Sequence, residues 1–171
     1  MRPLVTFLLL LFLIHSIHAD PSWEKKDIDH LRIEVPSGSK TTVQTKPGTG
    51  AVQKMTKYSF KTGTLDLELV FLTFPPGFVG NLDGAAANMG AQIKAASGEE
   101  SLPPWKTTTV SARPARYLAT KPNNAHQARQ VTLIDDTHAT NQLVIIDISY
   151  DTNSSSGKID SERVMMSAEI K

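Results

Sequence analysis

The chain of 171 residues contains no cysteine. No disulfide can staple its fold, no thiolate can act as nucleophile or metal ligand, and the lipid-bearing cysteine of a bacterial lipoprotein is missing. Stability must come from an apolar core, which a domain of about 150 residues is large enough to build. Neither sign of charge is in excess, since 18 Lys and Arg face 17 Asp and Glu. Without a surplus of clustered cations there is no electrostatic drive toward nucleic acid or anionic membrane, and both are set aside as partners. Catalytic motifs are absent too. No serine sits in a G-x-S-x-G elbow, and Gly48 and Gly50 do not follow a strand and open a helix as a phosphate loop requires. Nothing names a reaction, a ligand or a cofactor.

Long apolar runs are confined to the start. Arg2 supplies a short positive region, residues 4–14 are apolar except for Thr6, and Ile17-His18-Ala19 ends on a small residue. The run is shorter than the roughly 20 residues a membrane span needs, so residues 1–19 are expected to be a signal peptide cut after Ala19. The mature chain would start at Asp20 with no membrane span, 17 basic and 17 acidic residues. An exported, disulfide-free domain points to a bacterial periplasm or the cell exterior. The sequon Asn153-Ser154-Ser155 would matter only in a eukaryotic secretory route.

The rest of the chain is patterned, apart from its first residues. Residues 20–30 are charged and aperiodic, which suggests a flexible arm anchored by Trp23 alone. Leu31, Ile33 and Val35 then alternate with Arg32 and Glu34 as in a strand with one wet face, and further strands are expected at 41–45, 52–60 and 64–74. Pro75-Pro76 ends the last of these. Leu82, Ala86, Met89, Ile93 and Ala96 recur at helical spacing, with Asn81 or Asp83 to cap the start and Gly98 to end it. Gly80, Gly84 and Gly90 would let this helix lie close to its neighbour. Strands are expected again at 107–112, 115–120, 128–134 and 142–150, the last being the most apolar and therefore central. A closing helix, with Asp160 and Glu162 in its first turn, would dock through Ile159, Met166 and Ile170. Hairpin-length connections imply one α+β domain over 31–171, a mainly antiparallel sheet packed with two helices.

An early IEVP strand, a YSF strand, a strand–helix pair in the middle, an ARYL strand and a short helix after a long apolar strand together resemble the PsbP-like family. Its superfamily also holds a Ran-binding import factor and the bacterial envelope protein DcrB. The resemblance covers residues 31–171 and is one of pattern. It implies an α/β/α sandwich and a role in binding or assembling other proteins rather than catalysis, and no family site maps onto a motif here.

Two sets of residues could carry function. Trp105, Arg113 and Arg116, with Phe78 on the loop after the prolines, are of the types found at binding hot spots, and they suit an acidic or carboxylated partner. Arg113 and Arg116 are three apart, so Pro114 must break the strand if both are to reach one partner. Asp135, Asp136 and His138 place two carboxylates and an imidazole within four residues, and with His30 or His126 they could hold a metal for hydrolysis. A hairpin loop between apolar strands would look the same. The sequence thus points to an exported non-catalytic protein binding another envelope protein or a small ligand, with a metal-assisted hydrolase built on Asp135, Asp136 and His138 as the alternative.

Overall fold

The computed structural model describes residues 22–98, 100–123 and 125–171, so the expected leader and the start at Asp20 lie outside the described residues. Strand β1 (Trp23–Ile28) turns through Asp29 into β2 (Leu31–Pro36), and β3 (Lys40–Pro47), β4 (Lys54–Lys61) and β5 (Leu65–Thr73) come after it. Helix α1 (Leu82–Ser97) begins where the Asn81 side chain accepts from the Gly84 N–H at 2.9 Å, and Gly98 ends it at φ 70°. Strands β6 (Lys106–Val110), β7 (Arg113–Ala119) and β8 (Gln127–Asp136) come next. A single turn, α2 (Thr137–Thr140), leads into β9 (Gln142–Asp151), and α3 (Gly157–Ser167) and β10 (Glu169–Ile170) close the chain.

Seven strands form one antiparallel sheet in the order β3-β4-β5-β9-β8-β7-β6, and β1-β2-β10 form a second. At the centre, β5 pairs with β9 from Leu65 opposite Tyr150 to Thr73 opposite Gln142. One face of the large sheet carries Phe60, Leu67, Leu69, Phe71, Ile134, Val144, Ile146 and Ile148, and it is covered by Leu31, Ile33 and Val35 of the small sheet and Val164 of α3. On the other face Leu118, Val131, Leu133 and Ile145 lie under Ala86 and Ile93 of α1. α1 covers only one end of this face. Beyond it the sheet surface is charged, with Lys57 on Glu68 at 2.8 Å, Lys61 on Asp66 at 3.0 Å, and Arg129 on Asp147. The paired hydrogen bonds from Arg129 to Asp147 hold that guanidinium's pKa above its ordinary value.

The expected α/β/α sandwich is therefore corrected. The second covering layer is a sheet with one helix beside it, not a helical layer. Residues 23–28, expected within a flexible arm, are strand β1. Their periodicity is hidden because this edge strand buries only Ile28 fully and presents Glu24, Lys25 and Asp27 to water. The docking face of the last helix also differs. Ile159 is 65% exposed and Met166 is 87% exposed, whereas Val164 is fully buried. The helix starts at Gly157, and its inward stripe runs through Asp160, Ser161 and Val164. Ser161 accepts from the Gln130 amide at 3.1 Å and donates to the Lys158 carbonyl at 2.7 Å, so a polar side chain occupies a core-facing position. Ile170 is buried as expected, but in β10.

The packing can be tested on both helices. Ala86→Leu is expected to lower stability by about 1–3 kcal/mol through overpacking, and Lys94→Ala, on the wet side of α1, by less than about 0.5 kcal/mol. Val164→Ala is expected to lower it by about 2 kcal/mol while Met166→Ala stays within about 0.5 kcal/mol. Urea melts of the four variants check both; equal shifts within either pair would contradict the assigned face. At low pH a third effect enters. Hydrogen bonds from Arg32 and Lys171 draw the Asp27 carboxyl from its ordinary 3.8 down to about 2. The folded state therefore binds that proton less readily than the unfolded chain. The small contribution of this exposed pair should be complete above pH 3.8 and vanish as the pH falls to about 2, an acid loss that Asp27→Asn abolishes and salt weakens.

Candidate functional site

Beyond β5, Pro75 and Pro76 carry the chain off the sheet. The Phe74 N–H still donates to the Asn141 carbonyl at 2.8 Å, and Gly77, at φ 79°, turns the backbone so that the Phe78 N–H reaches the Pro75 carbonyl at 3.1 Å. This folds the Phe78 ring flat onto Phe74, with centroids 4.2 Å apart and planes within 4°. The same loop sets the start of α1 away from the sheet end. A cleft of about 550 Å³ remains between them.

Three elements supply its walls. The sheet contributes Leu72, Leu133, Leu143 and Ile145, the helix contributes Leu82, Ala85 and Met89, and the aromatic pair closes one side. Thr49 and Val52, from the hairpin between β3 and β4, complete the lining. Polar groups are few: the side-chain amides of Asn81, Asn88 and Gln92, the Thr49 and Thr137 hydroxyls and the Asp135 carboxylate. Asp135 is held in place, because its Oδ1 accepts from the Thr137 N–H at 3.0 Å and from the Thr137 hydroxyl at 2.6 Å. The carboxylate packs against Gly80, where a Cβ would stand 3.0 Å from Oδ2 and 3.1 Å from Oδ1. A concave apolar site with a small convergent polar set is the usual form of a small-molecule binding site, and its volume lies within the roughly 300–1,000 Å³ typical of such sites.

The four residues singled out by sequence are scattered. Phe78 lines the cleft. Trp105 is half-buried at the middle of α1, its indole Nε1 3.4 Å from where a Cβ on Gly90 would stand. Arg116 donates to Asp83, in the first turn of α1, at 2.8 Å. Arg113 lies on the opposite face of the sheet. Pro114 does not break β7: it stays in register opposite Thr109 of the edge strand, while pairing with β8 starts only at Ala115. The two arginines therefore do not form one patch.

Asp135, Asp136 and His138 are separated by the same alternation. As neighbours in a strand, the two carboxylates point to opposite faces. Asp136, 1% exposed, sits between His30 Nε2 at 3.3 Å, Arg113 Nε at 2.7 Å and the Thr140 hydroxyl at 2.8 Å. The Arg113 contact is an ion pair whose angle falls outside hydrogen-bond geometry. His138 and His126 are solvent-exposed. Among the described residues no group of three or more His, Asp or Glu is placed to hold a metal ion. Sequence reasoning named Asp135 for a metal and missed Leu72, Met89 and Leu143 as cleft walls. The available signal was the doubly apolar end of β5 running into a helix rich in glycine and alanine.

Removing each arginine should separate their surroundings. Arg113→Ala leaves the buried Asp136 without its cation and is expected to lower stability by about 1–3 kcal/mol. Arg116→Ala breaks a pair with an exposed acid and is expected to cost under about 1 kcal/mol. Urea melts read the difference.

No family model matches the chain, and no curated protein matches it. Among solved structures, a Pseudomonas aeruginosa protein of unknown function aligns over 85% of this chain and 94% of its own, at 10% identity and a TM-score of 0.35. That likeness is too slight to carry an argument about fold or function.

Proposed function

We propose that this is an exported, non-catalytic binding protein whose cleft between α1 and the sheet end holds a small, largely apolar ligand. The observation that carries this reading is the cleft itself: an apolar hollow bounded by a stacked aromatic pair, with amides and one carboxylate as its polar groups. Its lining supports binding better than catalysis. A single carboxylate, without a second acid or base beside it, is poorly equipped for paired proton transfers. The PsbP-like resemblance likewise implies binding.

The test uses a neutral probe, 4-phenyl-1-butanol, followed by amide shifts in NMR. Shifts are expected to concentrate at Phe78, Ala85, Met89 and Leu143, and Ala85→Trp, which fills the cleft, is expected to abolish them while the variant stays folded. Shifts centred elsewhere, or unchanged in Ala85→Trp, would overturn the reading. Crosslinking from the native envelope should then recover small molecules on the wild type that Ala85→Trp lacks.

A further inference from the structure

We infer that the ligand of this cleft is an organic cation, a protonated primary or secondary amine borne on an apolar ring or chain; the inference rests on the ligand-binding reading above and narrows it. Asp135 is the one formally charged side chain in the lining, where no Lys, Arg or His is present. Four other strand carboxylates of the large sheet are matched by a cation within the protein, Asp66 by Lys61, Glu68 by Lys57, Asp136 by Arg113 and Asp147 by Arg129, while Asp151, at the very end of β9 and outside the cleft, accepts from the Asn153 N–H. Asp135 has no such cation. Its Oδ1 is occupied by Thr137, and Oδ2 has no hydrogen-bond or ion-pair partner among the described residues.

The surrounding chemistry suits an ammonium group. It needs one charged acceptor and neutral oxygens for its remaining N–H bonds, and Asn88 and Gln92 offer amide carbonyls in the same lining. A charge-assisted hydrogen bond in a partly dewatered cleft is stronger than the same contact on an open surface. An anionic ligand would instead bring like charge against Asp135. Phe74 and Phe78 supply ring surface for the apolar part of the molecule.

Three probes of one skeleton test the charge: 4-phenylbutylamine, 4-phenyl-1-butanol and 4-phenylbutyrate, titrated calorimetrically at neutral pH. The amine is expected to bind about tenfold more tightly than the alcohol, and the carboxylate more weakly than both. In Asp135→Asn the amine should lose far more affinity than the alcohol, so that the tenfold preference for the amine disappears. Gly80→Ala, whose methyl would stand 3.0 and 3.1 Å from the two carboxylate oxygens and so displace the carboxylate, should weaken the amine more than the alcohol and serves if Asp135→Asn does not fold. Equal binding of amine and alcohol, or tighter binding of the carboxylate, would overturn the cation assignment and leave the cleft as a binding site. Failure of all three probes to bind would overturn both.

Discussion

The pairing of β5 with β9 is the constraint on which the remaining structure depends. Nine residue pairs join these two strands at the middle of the large sheet, and where residues 70–72 meet residues 143–145 both strands present apolar side chains to both faces. Burying one face would leave the other wet, so the pair requires two covering layers. The small sheet with α3 provides one and α1 the other. A slip of one residue in this register would exchange Leu69 and Ile146 with Val70 and Ile145 and misalign both layers at once.

The layers differ in how completely they cover. Leu31, Ile33, Val35 and Val164 sit over the long apolar rows of β5 and β9, and Leu67, Leu69, Val144, Ile146 and Ile148 are fully buried. α1 meets its face through Ala86 and Ile93, with Met89 packed between them, and the cleft opens where the proline loop delivers its first turn. The cleft is the consequence of that mismatch between one short helix and a wide sheet. Its aromatic wall comes from the loop that causes the separation, because Phe74 ends β5 and Phe78 folds back on it.

Asp135 and Asp136 show how the strand period divides tasks between neighbours. Asp136 turns toward the closed core, where His30, Arg113 and Thr140 surround it and join β8 to the turn before β2 and to β7. Asp135 turns toward the open layer, where it accepts two hydrogen bonds from Thr137 and packs against Gly80. The hairpin of Ser111 and Ala112 is another tertiary product. Both residues hold positive φ, 48° and 63°, the form of a two-residue hairpin turn that usually recruits Asn or Gly, and the Ser111 hydroxyl accepts from the Ile170 N–H at 2.9 Å.

Local physics settled the elements. Alternation in 31–35 and 64–74, the double proline after Phe74, the Asn81 cap, the Ala86-Ile93 stripe and the Gly98 stop were legible because each depends on residues within a few positions of one another. β1, the inward face of α3 and the cleft were not. An edge strand shows little alternation, and a helix whose buried stripe includes Asp160 and Ser161 hides its face until Gln130 is beside it. From sequence alone most strands, α1 and the central place of β9 could be read, but not β1, read as an arm, nor β10, read as the end of the last helix. Only the tertiary structure decided what covers each face, that Arg113 and Arg116 part company, and that Asp135 faces an open cleft, because those outcomes depend on contacts between residues far apart in the chain.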